Sequence, residues 1–291
     1  MPLTISSLTL PQGEIAVCQT AGTGLPVVML HGLGASKDVF TRQLESPLGE
    51  LHRLIAFDLP GHGASSDARD PQAGYTLSAV AYVAAAVLDR LSVPRAVVFG
   101  WSLGGHVAIE MMARRPDLVA GMMLTGVPPG WRGRLGSLRA FHFSREMLLA
   151  AKETYTDRDT ERFERLCFGP DADGSHGAMI QRTDGRMRPI LNRSLWDAAP
   201  GQRQVVEQSA VPVAMVNGAD EPVVRLGYVA AGRYRNLWEG MTHVLPNAGH
   251  APFVNTPNAF NALLHRFVTY VAVREQQKPA GAPNVEIARS A

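Results

Sequence analysis

The sequence predicts an α/β protein: a mostly parallel central sheet, doubly wound with helices, and a helical cap inserted after the sixth strand. Three observations predict it. Short, wholly apolar runs such as Pro26–Leu30 suit strands buried on both faces of a parallel sheet. Glycine-rich loops and helical patterns follow these runs in alternation, as βα units require. One stretch of roughly eighty residues lacks strand-like sequence and is too long for an ordinary connection.

Taken in order, Ile5–Leu10 and Glu14–Gln19 read as a hairpin turning at Pro11-Gln12-Gly13. Pro26–Leu30 is the next strand and ends in His31-Gly32-Leu33-Gly34. Arg53–Phe57 follows, ending in Asp58-Leu59-Pro60-Gly61-His62-Gly63. Leu77, Val80, Ala81, Ala84, Val87, Leu88 and Leu91 recur at helical spacing on one face. Val97–Phe99 is a strand, the residues after Ser102 form a helix that Pro116 stops, and Leu118–Thr125 is the sixth strand. Pro128-Pro129-Gly130 breaks the pattern. Up to about residue 210 the chain is arginine-rich and mostly helical, with scattered large apolar groups. The sheet resumes at Val211–Val216 and Thr242–Leu245, and a last amphipathic helix carries Phe260, Leu264, Phe267 and Val271. The division is therefore core 1–127, cap 128–210, core 211–274, and a polar tail 275–291 expected to be disordered.

With 291 residues, 46% of them hydrophobic and 19% charged, the chain can bury a large core. A formal net charge of +2 gives no reason to expect nucleic acid or an anionic membrane as partner. The N-terminus lacks a basic region and a long apolar run, and Leu77–Leu88 is too short to span a bilayer. Cys18 and Cys167 have no metal spacing and read as free thiols of a cytoplasmic protein. The expected partner is a small-molecule substrate; composition leaves the oligomeric state open.

The chemistry centres on Gly100-Trp101-Ser102-Leu103-Gly104, between a strand and a helix. Such a turn holds its serine strained and exposed, as a nucleophile. A serine hydroxyl needs a base. Of nine histidines, His250 alone follows the last strand and precedes the last helix, in Asn247-Ala248-Gly249-His250-Ala251-Pro252-Phe253. His106, one helical turn beyond Ser102, and the other histidines have bland explanations. The acid should lie between the two, and Asp220 and Glu221 both qualify. Spacing from Gly218 favours Glu221 and leaves Asp220 as the alternative. The backbone N–H groups of Leu103 and Leu33 are the expected oxyanion donors, with Gly32 and Gly34 letting the second strand-end loop approach. Phe163 and Trp196 are the candidate pocket walls. Trp101, beside the nucleophile, favours packing over ligand contact. No metal-ligand cluster and no Gly-x-Gly-x-x-Gly run is present, so neither a metal nor a dinucleotide cofactor is expected.

Together, His31-Gly-Leu-Gly34, Asp58-Leu-Pro-Gly-His-Gly-Ala-Ser65, Gly100-Trp-Ser-Leu-Gly-Gly105 and Asn247-Ala-Gly-His-Ala-Pro-Phe253 resemble the α/β-hydrolase superfamily, from about Glu14 to Tyr270. Within it the chain is similar to the serine-dependent N-acyl-homoserine lactonases that degrade quorum-sensing signals. That narrower likeness rests on Val97–Met111, Arg182-Thr-Asp-Gly-Arg186, Val216-Asn-Gly-Ala-Asp-Glu-Pro222 and Asn236-Leu-Trp-Glu-Gly-Met-Thr-His243. The resemblance implies a glutamate as the acid, hence Glu221, and lactone opening through an acyl-enzyme. One departure is Leu33, where these lactonases can carry a polar residue. The rival expectations are a general carboxylesterase, a C–C bond hydrolase of aromatic ring-cleavage products, an amide-cleaving acylase, and a receptor that keeps the fold for binding.

Overall fold

A computed structural model describes residues 3–130, 139–197 and 201–277, with the side chains of 196 and 197 left out. The sequence alternation becomes one sheet of eight strands among these residues. They are β1 (Thr4–Leu10), β2 (Gly13–Gln19), β3 (Gly24–Leu30), β4 (His52–Phe57), β5 (Ala96–Trp101), β6 (Val119–Thr125), β7 (Val213–Gly218) and β8 (His243–Leu245). Their spatial order is β1-β2-β4-β3-β5-β6-β7-β8. The β1–β2 hairpin pairs antiparallel onto β4; every later pairing is parallel.

β5 and β6 are buried at every position, which explains why their sequences are apolar runs instead of alternations. Helices α1 (Leu77–Arg90) and α2 (Leu103–Arg114) cover one face. Thr76 caps α1 by accepting from the N–H of Ala79. The reversal of strand order at β3 opens a crevice at the carboxyl ends of β3 and β5, where ligands bind in such sheets.

Between β6 and β7 the chain forms α3 (Asp157–Phe168), α4 (Gly177–Arg182), α5 (Met187–Asp197) and α6 (Gln202–Glu207). A capping box starts α3: Thr156 accepts from the Asp159 N–H, and the Asp159 carboxylate accepts from the Thr156 N–H. The front of this insertion differs from the helical expectation. Phe141 bridges antiparallel to Val224, the His142 N–H donates to Val223 O, and the Arg225 N–H donates to Ala140 O. These residues find backbone partners across the fold, so they need no helix to satisfy them.

The insertion seats on the core through the Arg182–Arg186 motif. Arg182 reaches Asp67 at 3.0 Å and Ser65 O at 2.9 Å, while the Asp184 N–H donates to Gly61 O. The buried Tyr75 hydroxyl donates to Asp184 at 2.5 Å and accepts from the Ala68 N–H. The Asn236–His243 motif is likewise structural. Asn236 accepts from the Val213 N–H and donates to Ala210 O at the start of β7, and buried Trp238 packs on Phe267.

The last helix, α7 (Pro257–Gln276), runs two residues beyond the expected end of the core at 274. Helical periodicity fades there because its final turn is exposed, yet the backbone bonds continue. Most of the expected disordered tail, from 278, lies outside the described residues. Among the described residues no helix is long and apolar enough to cross a membrane.

Candidate active site

Strand β5 ends in the turn that carries Ser102. Its backbone sits at φ 51° and ψ −118°, a region costly for any residue with a Cβ. Neighbouring glycines make the turn possible. A Cβ on Gly104 would lie 2.0 Å from Leu30 O, and one on Gly100 would lie 2.5 Å from the Cα of Gly105. The Ser102 N–H donates to Thr125 O, and its carbonyl accepts from Gly105 and His106. The strained residue is held from both sides.

His250 and Glu221 come together after β8 and β7. The imidazole Nδ1 lies 2.8 Å and 3.0 Å from the two carboxylate oxygens of Glu221. Both side chains are buried. Burial alone would raise the pKa of Glu221. The adjacent imidazole and the N–H groups of Val223 and Val224, at 2.8 Å and 3.2 Å, outweigh it and keep the carboxyl below its ordinary value. Asp220 is exposed, and its N–H donates to Ala248 O. Of the two adjacent carboxylates, only Glu221 meets His250.

Sequence reasoning missed the groups that back this pair. Gly126, at φ +64°, lies so near the imidazole that a Cβ there would be 2.6 Å from His250 Cε1. Its N–H donates to the side chain of Asn217. Asn255 accepts from the Gly249 N–H and donates to Phe168 O, tying the histidine loop to the insertion. These are contacts between distant segments, and no local pattern announces them.

The Leu33 and Leu103 N–H groups have no protein acceptor among the described residues. Two buried histidines hold the Leu33 loop. Nε2 of His31 accepts from the Leu59 N–H while its Nδ1 donates to Gly32 O; Nε2 of His62 accepts from the Gly34 N–H while its Nδ1 donates to Pro60 O. Each ring must be neutral to do this. Burial lowers both pKa values, which favours that state. Gly32 lets the loop lie against Trp101 and Ser102, 3.0 Å and 3.3 Å from where a Cβ would sit.

A cavity of about 330 Å³ lies over Ser102. Leu33, Leu103, His250, Phe163, Leu191 and Leu195 are among its walls. Phe163 is therefore where a pocket wall was expected, packed on Gly34 and Tyr155. Trp101 borders the cavity but is fully buried, and it donates through Nε1 to His250 O at 2.8 Å, the bond of a packing residue. Trp196 is in α5, but its side chain is outside the described residues. Cys167 also borders the cavity; burial raises its thiol pKa, so it is no thiolate nucleophile. Cys18 and Cys167 are both free. Among the described residues no three His, Cys, Asp or Glu side chains gather as a metal site would require.

A doubly wound sheet with this strand-to-helix turn at its switch point is the frame of a hydrolase. The chain belongs to the alpha/beta hydrolase family, matching it over residues 27–263. It is similar to the crystal structure of N-acyl homoserine lactonase AidH, in a serine-to-glycine variant complexed with N-hexanoyl homoserine lactone. The two are 41% identical with a TM-score of 0.87, over 92% of this chain and 98% of that one. A Mycobacterium tuberculosis protein with the provisional name non-heme bromoperoxidase BpoC is 31% identical, over 86% of this chain and 96% of its own length. A pimeloyl-[acyl-carrier protein] methyl ester esterase of Neisseria meningitidis is 30% identical, over 83% and 93%.

Proposed function

We propose that this hydrolase opens the lactone ring of N-acyl-homoserine lactones and so quenches the signals they carry. The observation that supports this most is the 41% identity to AidH across nearly the whole of both chains. The apolar cavity over Ser102 suits an acyl chain, whose burial contributes roughly 0.8 kcal/mol per methylene.

Ser102 attacks the lactone carbonyl as His250 takes its proton, and Glu221 orients the imidazole and stabilises its charged form. The developing oxyanion rests on the free N–H groups of Leu33 and Leu103. Collapse breaks the ring ester as the His250 imidazolium gives its proton to the departing alkoxide, and leaves an acyl-enzyme that still carries the freed alcohol. That tethered alcohol competes to close the ring again at high effective concentration, so the second step needs water held over the ester. His250, neutral again, then deprotonates that water and passes the proton to the Ser102 oxygen as its ester bond breaks, releasing N-acyl-homoserine.

Mass spectrometry of the products tests the reading. A single product heavier by one water, with acyl chain and homoserine still joined, is expected. A free fatty acid with intact homoserine lactone would make the enzyme an amide-cleaving acylase. The esterase relatives favour one second reading, hydrolysis of simple carboxylic esters. Turnover of p-nitrophenyl esters without turnover of any acyl-homoserine lactone would establish it instead.

A further inference from the structure

His106 is a buried polar group for which the triad chemistry has no use. It stands one helical turn after Ser102 on α2, and it borders the same cavity. Its neighbour Gln202, the first residue of α6, reaches in from the far end of the insertion. Gln202 Nε2 donates to the main-chain carbonyl of His106 at 3.3 Å, which turns Oε1 toward the ring. Oε1 lies 2.5 Å from Nδ1. A carbonyl oxygen can only accept, so Nδ1 carries the proton. Burial holds the imidazole neutral, with a pKa lowered to about 4. Nε2 therefore presents a lone pair. It has no protein partner among the described residues, and the residue lines the cavity.

An unpaired acceptor in a mostly apolar wall selects for a donor on the ligand, because an occupant without one leaves it desolvated and unbonded. Position says which donor. Ser102 lies just before the first turn of α2 and its carbonyl accepts from the His106 N–H, so the two residues are close neighbours. With the reacting carbonyl at Ser102, a group on the adjacent carbon is within reach of His106.

We infer that His106 is a specificity-determining residue whose Nε2 accepts a hydrogen bond from an N–H on the carbon next to the scissile carbonyl. The site then takes α-acylamino esters and lactones in preference to counterparts lacking that N–H. This rests on Ser102 as nucleophile, as in the reading above, but not on the lactone ring. Gln202 acts here as a positioning residue, fixing which nitrogen of His106 is bare.

Two activated esters test it without the lactone. They are p-nitrophenyl N-butanoylglycinate and p-nitrophenyl 4-oxoheptanoate, which differ only by NH against CH₂. After subtraction of uncatalysed rates, the wild-type enzyme should favour the amide roughly tenfold to a hundredfold in kcat/KM. His106→Leu should erase most of that ratio, chiefly through KM for the amide. Gln202→Met should erode it partly, by freeing the tautomer. A wild-type ratio near one overturns the inference with no variant needed. So does a His106→Leu enzyme that keeps the ratio while both rates fall together, since a merely structural residue would behave so. Failure to open acyl-homoserine lactones, with the ratio intact, would sink the lactone reading and leave this one standing.

Discussion

Both carboxylate oxygens of Glu221 face the Nδ1 of His250, at 2.8 Å and 3.0 Å, while the adjacent Asp220 points to solvent. A carboxylate in that position holds the imidazole in one tautomer with Nε2 free for the serine. Glu221→Gln should therefore cost roughly a hundredfold to ten-thousandfold in kcat. Asp220→Asn should stay within a few fold. Steady-state kinetics on the two variants decides; equal losses would refute the assignment of the acid.

The backbone of Ser102 stores strain that a glycine would not feel. Ser102→Ala should lower turnover by several orders of magnitude with little change in Tm. Ser102→Gly should be equally inactive but more stable by about 1 kcal/mol, a rise of a few degrees in Tm. Calorimetry of the pair checks this. If the glycine variant melts no higher than the alanine variant, the turn is not strained.

Gly126 acts on His250 by proximity alone. Gly126→Ala puts a Cβ against the ring and forces a residue with a side chain to φ +64°. We expect kcat to drop at least tenfold, with KM much less affected. A variant with normal kcat would mean that the imidazole has room to retreat.

Stability should fall in mild acid. His31, His62 and His106 are buried and their pKa values lowered, His106 to about 4. In the unfolded chain the same groups titrate near 6.5. Between about pH 6.5 and 4 the unfolded state therefore holds protons that the folded state lacks, and stability declines as pH falls. Urea midpoints at pH 7.5 and pH 5 measure it. The two should differ clearly, and His31→Gln should lessen the difference; coincident midpoints would show that these rings protonate in the folded state.

Tyr75→Phe removes the hydroxyl that bonds Asp184 and Ala68. It should cost about 1–3 kcal/mol, because it leaves a partly buried carboxylate short of a donor. If the insertion's seat shapes the cavity, KM should rise more than kcat falls. An unaltered KM would mean the cavity keeps its form without that bond.

The parts legible in the sequence were those set by neighbours in the chain. The Ser102 turn is visible because its glycines must be local, and the buried strands are visible because nothing polar interrupts them. Glu221 could be preferred over Asp220 from its distance to Gly218. The alternation of apolar runs and helical spacing sufficed for the α/β sheet. The illegible parts depend on residues far away. Phe141 has a helix-compatible neighbourhood, but its backbone is claimed by Val224. Asn217 looks like part of the acid loop, although its side chain holds Gly126. His106 reads as an ordinary helical residue until Gln202, ninety-six positions on, decides which of its nitrogens is bare.

The two ends of the insertion have a bearing on how such enzymes can diversify. Near its start, residues 140–142 are bonded to 223–225, immediately after Glu221. At its end, Gln202 governs His106 beside the nucleophile. A transplant of the insertion from a relative, joined at residues 128 and 210, would import a new acyl pocket together with new supports for the acid and for His106. The insertion is not a modular lid. Grafts that keep 140–142 and Gln202 from the host, exchanging only the helices between them, are the ones that should change substrate range without disturbing the chemistry.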